Sequence, residues 1–141
     1  METLINGNFH IVGGDFSNAG KASTELKTIL TNSGLDIAKV RRAVIASFEG
    51  EMNIIIYAVA GTISYQIQNG ELKVTLQDIG PGIENIDLAM TEGYSTAPDW
   101  VREMGWGAGM GLPNMKRNAD IFTINSIVGE GTTVEIVINL Y

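Results

Sequence analysis

Four glycines occupy every second position of GWGAGMGL, Gly105, Gly107, Gly109 and Gly111, just before a stretch, PNMKRNAD, that reads as a helix. Glycine lets backbone N–H groups come close to a ligand. A Gly-rich loop that opens a helix gathers unpaired N–H donors and the positive end of the helix dipole at one point, which suits the oxygens of phosphate. A second cluster, DIGPGI, sets Asp78 at the end of a strand-like run, followed by Gly80 and Gly82. An ionised Asp there accepts two hydrogen bonds while the glycines admit a flat ring to the backbone, an arrangement suited to the exocyclic amine of adenine. The third cluster, FEGEMN, places Glu49 and Asn53 at i and i+4, one above the other on a helix face beside the row Val44, Phe48 and Met52. A carboxylate and an amide at that edge are costly if left unpaired. Each cluster taken alone also fits a plainer role: a flexible surface loop, a turn that needs glycine dihedrals, or an exposed pair with local hydrogen bonds.

The surrounding elements must hold these groups. The first strand, FHIVGG, precedes a helix over about 17–31, with Ser17 as N-cap and Gly34 as stop. The longest helix covers about 36–60 and ends at Gly61, with Val40, Val44, Phe48 and Met52 as its buried stripe. TISYQIQ and ELKVTLQD are strand-like and meet across Asn69-Gly70, a strong hairpin signal. Residues 83–107 are irregular with room for one short helix, and a loop of about 25 residues in a small domain reads as a lid or binding loop. A helix over about 108–118 and a second hairpin, DIFTINSIV with GTTVEIVINLY across Gly129-Glu130-Gly131, complete the chain. This order predicts an α+β two-layer sandwich, a mixed sheet with helices on one face, and a ligand between the helical layer and the long loop.

The 141 residues predict a single domain over 1–141 with no internal repeat or linker. Nine Lys and Arg against sixteen Asp and Glu leave a net charge of −7, which disfavours a nucleic-acid partner held through its phosphates. Bound phosphate must therefore be met by backbone, metal and a few local cations. The absence of cysteine removes thiolate metal sites and a Cys nucleophile. With no membrane span or basic-apolar leader in view, a cytoplasmic location is expected.

The order Glu-x-x-x-Asn, Asp-x-Gly-x-Gly, long loop, Gly-x-Gly-x-Gly resembles the ATPase superfamily shared by gyrase, the heat-shock chaperone, sensor histidine kinases and MutL, from about residue 36 to the end. The resemblance implies the histidine-kinase-like ATPase fold with ATP and Mg²⁺ as cofactors. It puts Asn53 on the metal, Asp78 with Gly80 and Gly82 at adenine, and Gly107, Gly109 and Gly111 with Met110 and Leu112 around the triphosphate. It further implies that Thr132, in EGTTVEI, supports Asp78. Within the superfamily, NIIIYAVAG, DIGPGIENIDLAMTEGYST and GMGLPNMKR are similar to the bacterial anti-sigma serine/threonine kinases of the stress-switch type. That likeness implies transfer of phosphate to a Ser or Thr of a small antagonist protein domain, with Glu49 as general base. A sigma factor or a phosphatase are further partner classes, and a homodimer stays open.

Departures accompany the likeness. Gly50 lowers helix propensity by about 1 kcal/mol relative to Ala. Glu51 is a second carboxylate, about 200° round the helix from Glu49 and so facing elsewhere. No residue matches the family's lid arginine, which leaves Arg102, Lys116 and Arg117 as candidate phosphate partners. Trp100 and Trp106 flank the later half of the lid, where they pack it shut or meet a partner. A nucleotide-binding switch without transfer activity and a slow ATPase are the alternative readings.

Overall fold

The strands bury alternate residues and form one five-stranded sheet in the spatial order β1 (Ile5–Val12), β2 (Ala60–Gln68), β3 (Glu71–Ile79), β5 (Gly131–Asn139) and β4 (Ile121–Ile127). The computed structural model describes residues 5–103 and 110–141, apart from the side chain of Arg102. Met104, Gly105, Trp106, Gly107 and Gly109 thus lie outside the described residues. Every strand pairing is antiparallel, which corrects the expected mixed sheet. The cause lies in the connections. Two helices, α1 (Lys21–Asn32) and α2 (Ile37–Tyr57), separate β1 from β2 and return the chain antiparallel. A single crossing through α5 (Gly111–Arg117) runs β4 in the direction of β3, but β5 lies between the two and opposes both.

One sheet face is apolar, with Ile63, Leu72, Val74, Leu76, Ile136 and Ile138 buried under the helices. Thr62, Thr75, Gln77 and Glu135 occupy the opposite, more polar face, the usual division of an antiparallel sheet wet on one side. No described helix is long and apolar enough to cross a membrane.

The start of α1 differs from expectation. Phe16–Asn18 form a 3-10 turn, Ser17 Oγ donates to Asp15 Oδ1 at 2.9 Å, and the helix opens at Lys21. Its cap comes from α2. The Glu51 carboxylate, 1% exposed, accepts from Gly20 N at 3.0 Å, Ser23 N at 3.1 Å and Ser23 Oγ at 2.6 Å. With Ala22 N, which donates to Glu51 Oε2 at 3.4 Å, four donors are thereby satisfied by an anion at the positive end of the helix. Glu51 thus fixes α1 against α2 and takes no part in the face that carries Glu49.

On α2 the most deeply buried row is Val40, Ala43, Ser47, Gly50 and Ile54, whereas Val44 and Phe48 of the expected stripe are half-buried. Gly50 has a packing reason: a Cβ there would lie 2.0 Å from Leu76 Cδ2 and 3.0 Å from Met115 Cε. The helix ends at Tyr57, and Gly61 already belongs to β2. Asn69-Gly70 makes the β2–β3 turn as expected, and the second hairpin also forms. Ser47 Oγ is buried without a hydrogen-bond partner among the described residues. Ser47→Ala is therefore expected to raise stability by about 1 kcal/mol, because an unsatisfied buried hydroxyl costs about that much or more. Urea unfolding checks this as a higher midpoint at unchanged slope.

Candidate functional site

A cavity of about 800 Å³ opens between α2, the end of β3, the segment after it and the start of α5. At one end stands Asp78. The alternation that buries Leu72, Val74 and Leu76 continues to position 78 and turns the carboxylate toward the helical side. It is half-buried, and Thr132 N–H donates to its Oδ1 at 3.1 Å. Burial raises the Asp78 carboxyl above the usual carboxylate value, and the Thr132 hydrogen bond draws it partly back.

The turn after Asp78 is bound to the β4–β5 hairpin. Gly80 N donates to Glu130 O at 3.0 Å, and Gly129 N donates to Pro81 O at 2.8 Å. Gly82 has φ +74°, and a Cβ there would sit 2.4 Å from Ile127 O, so this position admits only glycine without rearrangement. Ser126, absent from the sequence reading, ties the parts together. Its Oγ accepts from Ile83 N at 2.7 Å and pairs with Thr132 Oγ1 at 2.8 Å. Thr132 thus reaches Asp78 through its backbone, while its hydroxyl holds Ser126. Pro81, Gly82 and Thr132 line the cavity; Gly80 lies beneath Asp78 instead, where a Cβ would be 3.3 Å from Asp78 Oδ1.

At the other end the helical spacing brings Glu49 and Asn53 together, both half-buried and both lining the cavity. A Cβ on Gly111 would lie 3.1 Å from Asn53 Oδ1 and 3.4 Å from both Asn53 Nδ2 and Glu49 Oε2, so the ends of both side chains come close against this glycine. Asn53 makes no side-chain hydrogen bond among the described residues, whereas Asn114 Nδ2 donates to Glu49 Oε1 at 3.4 Å. Asn114 is a residue that sequence reasoning missed. Nothing but its place one turn into α5, facing α2, marks it.

Met110, Gly111 and Leu112 line the cavity, and Gly107 and Gly109 lie outside the described residues. Neither Lys116 nor Arg117 lines it; Lys116 is exposed, and Arg117 pairs with Glu92. Apolar walls are supplied by Met52, Leu76, Ile83, Met115 and Val134, among others. A cleft of this size with apolar walls and a few converging polar groups is the usual form of a small-molecule site.

The segment after Gly82 forms one wall of the cavity through Asn85, Leu88, Tyr94 and Thr96. It carries two short helices where one was expected, α3 (Ile86–Ala89), capped by Asn85 Oδ1, and α4 (Asp99–Glu103). Ala97 and Val101 are buried, and Trp100 meets Phe16 edge-on with ring centroids 5.4 Å apart. Tyr57 Oη lies 3.4 Å from Ser95 Oγ, and Arg117 pairs with Glu92.

Comparison with known proteins finds relatives by sequence and by fold. The chain is 34% identical over 113 residues to the serine/threonine-protein kinase RsbT of Bacillus subtilis (strain 168), covering 77% of this chain and 79% of that protein. It is 32% identical over 117 residues to the anti-sigma F factor of Anoxybacillus flavithermus, covering 83% of this chain and 69% of the relative. No family profile matches. Among solved structures, SiaB–SiaC from Pseudomonas aeruginosa contains a similar fold with a TM-score of 0.62 at 15% identity, over 94% of this chain and 88% of the other. The RsbU and RsbW domains of a Mycobacterium tuberculosis protein give a TM-score of 0.62 at 19% identity, over 95% of this chain and 32% of that longer one.

Proposed function

This chain belongs to the family of the RsbT-type serine/threonine-protein kinases and anti-sigma F factors, and from that premise we propose that it binds ATP with Mg²⁺ and transfers the γ-phosphate to a Ser or Thr hydroxyl of a small antagonist protein domain. The observation that carries the reading is that Glu49 and Asn53, whose side-chain ends come close against Gly111, line the same cavity as Asp78. That distribution fits a nucleotide laid along the cavity.

In this reading Asp78 accepts from the adenine amine while Met52, Leu76 and Val134 enclose the ring. Asn53 holds Mg²⁺ through its amide oxygen, a hard ligand suited to that ion. The backbone N–H groups at Gly107, Gly109 and Gly111 meet the phosphate oxygens, which a chain of net charge −7 cannot neutralise with side chains alone. Mg²⁺ held at Asn53 would supply positive charge to offset that of the phosphates. Glu49 accepts the proton of the incoming hydroxyl, and its neighbour Asn53 keeps that hydroxyl close to the metal-bound phosphate. Residues 83–107 act as the lid, closing one wall over the nucleotide and excluding water. The protein partner is an antagonist domain, as befits a chain whose relatives include anti-sigma factors. The protein works in the cytoplasm, and a sigma factor or a phosphatase stands beside the antagonist in the same circuit.

Isothermal calorimetry with ADP and ATP, with and without Mg²⁺, tests the binding half of the reading. Binding is expected to weaken by at least about tenfold without the metal. Hydrogen exchange tests the lid: amides in 83–107 are expected to gain protection when ATP and Mg²⁺ are added, because bound phosphate supplies further contacts. Unchanged exchange would remove the lid assignment.

A further inference from the structure

We propose that Asn114 positions Glu49 for proton transfer and that the Arg117–Glu92 pair makes this positioning depend on the lid; the inference rests on the reading of Glu49 as base. The side chains form one polar chain. Glu92, in the segment between α3 and α4, pairs with the Arg117 guanidinium. Arg117 Nη1 donates to Asn114 Oδ1 at 2.9 Å, and Asn114 Nδ2 donates to Glu49 Oε1 at 3.4 Å.

The chain has a direction. Arg117 has only donors, so it claims the carbonyl oxygen of Asn114 and turns the amide nitrogen toward Glu49. The reversed amide would place a nitrogen against the guanidinium and an oxygen against the carboxylate, and both contacts repel. With Oε1 engaged by Asn114, Oε2 is the oxygen that lies close against Gly111. Asn114 does not line the cavity, so it acts on the chemistry only through Glu49. Glu92 and Arg117 are half exposed, and a surface pair of this kind contributes little to global stability. Its consequence is local: Arg117 is held by a lid residue on one side and by Asn114 on the other. When the lid departs, Arg117 loses its outer anchor and Asn114 the partner that fixes its amide.

The experiment compares wild type with Asn114→Asp, Arg117→Met, Arg117→Lys and Glu92→Gln in steady-state transfer from ATP to the antagonist domain, alongside ADP–Mg²⁺ calorimetry and hydrogen exchange. Asn114→Asp keeps the shape but cannot donate, and kcat is expected to fall about tenfold or more with KM for ATP and ADP affinity within about twofold. Arg117→Met and Glu92→Gln are expected to lower kcat several-fold and to speed exchange in 83–103, while Arg117→Lys, which retains charge and donor, restores most of the rate. Wild-type kcat in Asn114→Asp would overturn the inference. So would losses in kcat matched by equal losses in nucleotide affinity or unfolding midpoint, since a structural role gives that pattern. A wild type that binds ADP–Mg²⁺ but transfers nothing would overturn the kinase reading and with it the role of Asn114, whereas the lid tie would still be decided by exchange.

Discussion

Glu49→Gln is expected to bind ATP and Mg²⁺ within about twofold of wild type and to transfer phosphate at least about 100-fold more slowly. An amide in place of the carboxylate keeps the side-chain shape, and Asn114 Nδ2 still finds an oxygen acceptor at position 49. What is lost is the capacity to take a proton, and positioned general bases contribute about 10²–10⁴ in rate. Because that interaction is made in the chemical step, the loss falls on kcat and leaves the ground-state complex intact. Asn53→Ala is expected to behave differently. It removes an amide oxygen that stands close to Gly111 beside Glu49 Oε2, so Mg²⁺-dependent nucleotide affinity and transfer fall together. Nucleotide calorimetry and single-turnover transfer, run on both variants side by side, separate the two roles. Transfer by Glu49→Gln at the wild-type rate would remove the base.

Asp78→Asn is expected to weaken ATP and ADP binding by more than about tenfold. A hydrogen bond to a charged acceptor contributes about 1.5–3 kcal/mol, and the substituted amide presents at best a neutral acceptor to the adenine amine. The free protein is expected to respond in the opposite sense. Burial raises the Asp78 carboxyl, so its ionised form is penalised by folding at neutral pH. A folded value above the unfolded one means that stability declines as pH rises from the unfolded value through the folded value. The variant escapes this, and its Oδ1 still accepts from Thr132 N–H. Thermal unfolding should show Asp78→Asn more stable than wild type at pH 7, with the difference shrinking as pH falls below the raised value. For the same reason wild-type nucleotide affinity weakens on acidification at a higher pH than an ordinary surface carboxylate would give. Equal ATP affinity in variant and wild type would take Asp78 out of the adenine site.

Local signals in the sequence located much of this architecture. Asn69-Gly70 marked the β2–β3 hairpin, and the i, i+4 spacing alone placed Glu49 and Asn53 on one face of α2. Strand alternation then carries Asp78 to the helical side. What the sequence left unread depends on contacts between distant segments. Ser17 looked like an N-cap because its residue type suits one, but Glu51, some thirty positions on, supplies the cap and moves the helix start to Lys21. Gly50 looked like a defect in a helix and is instead the point where α2 meets Leu76 and Met115. The all-antiparallel sheet follows from β5 lying between β3 and β4, an order that hydrophobic periodicity does not encode. Ser126 and Asn114 are ordinary polar residues by type, and their roles exist only once the hairpin meets the Asp78 turn and α5 meets α2.

The central claim, phosphoryl transfer to a protein hydroxyl from a nucleotide spanning Asp78 to Glu49, is tested most directly with γ-labelled ATP. Purified protein is incubated with Mg²⁺ and candidate antagonist-domain proteins, and label is sought on Ser or Thr. The account predicts label on a single Ser or Thr of one antagonist, absent without Mg²⁺ and absent with Glu49→Gln. Tight, Mg²⁺-dependent ATP binding with no label on any of those antagonists would contradict it.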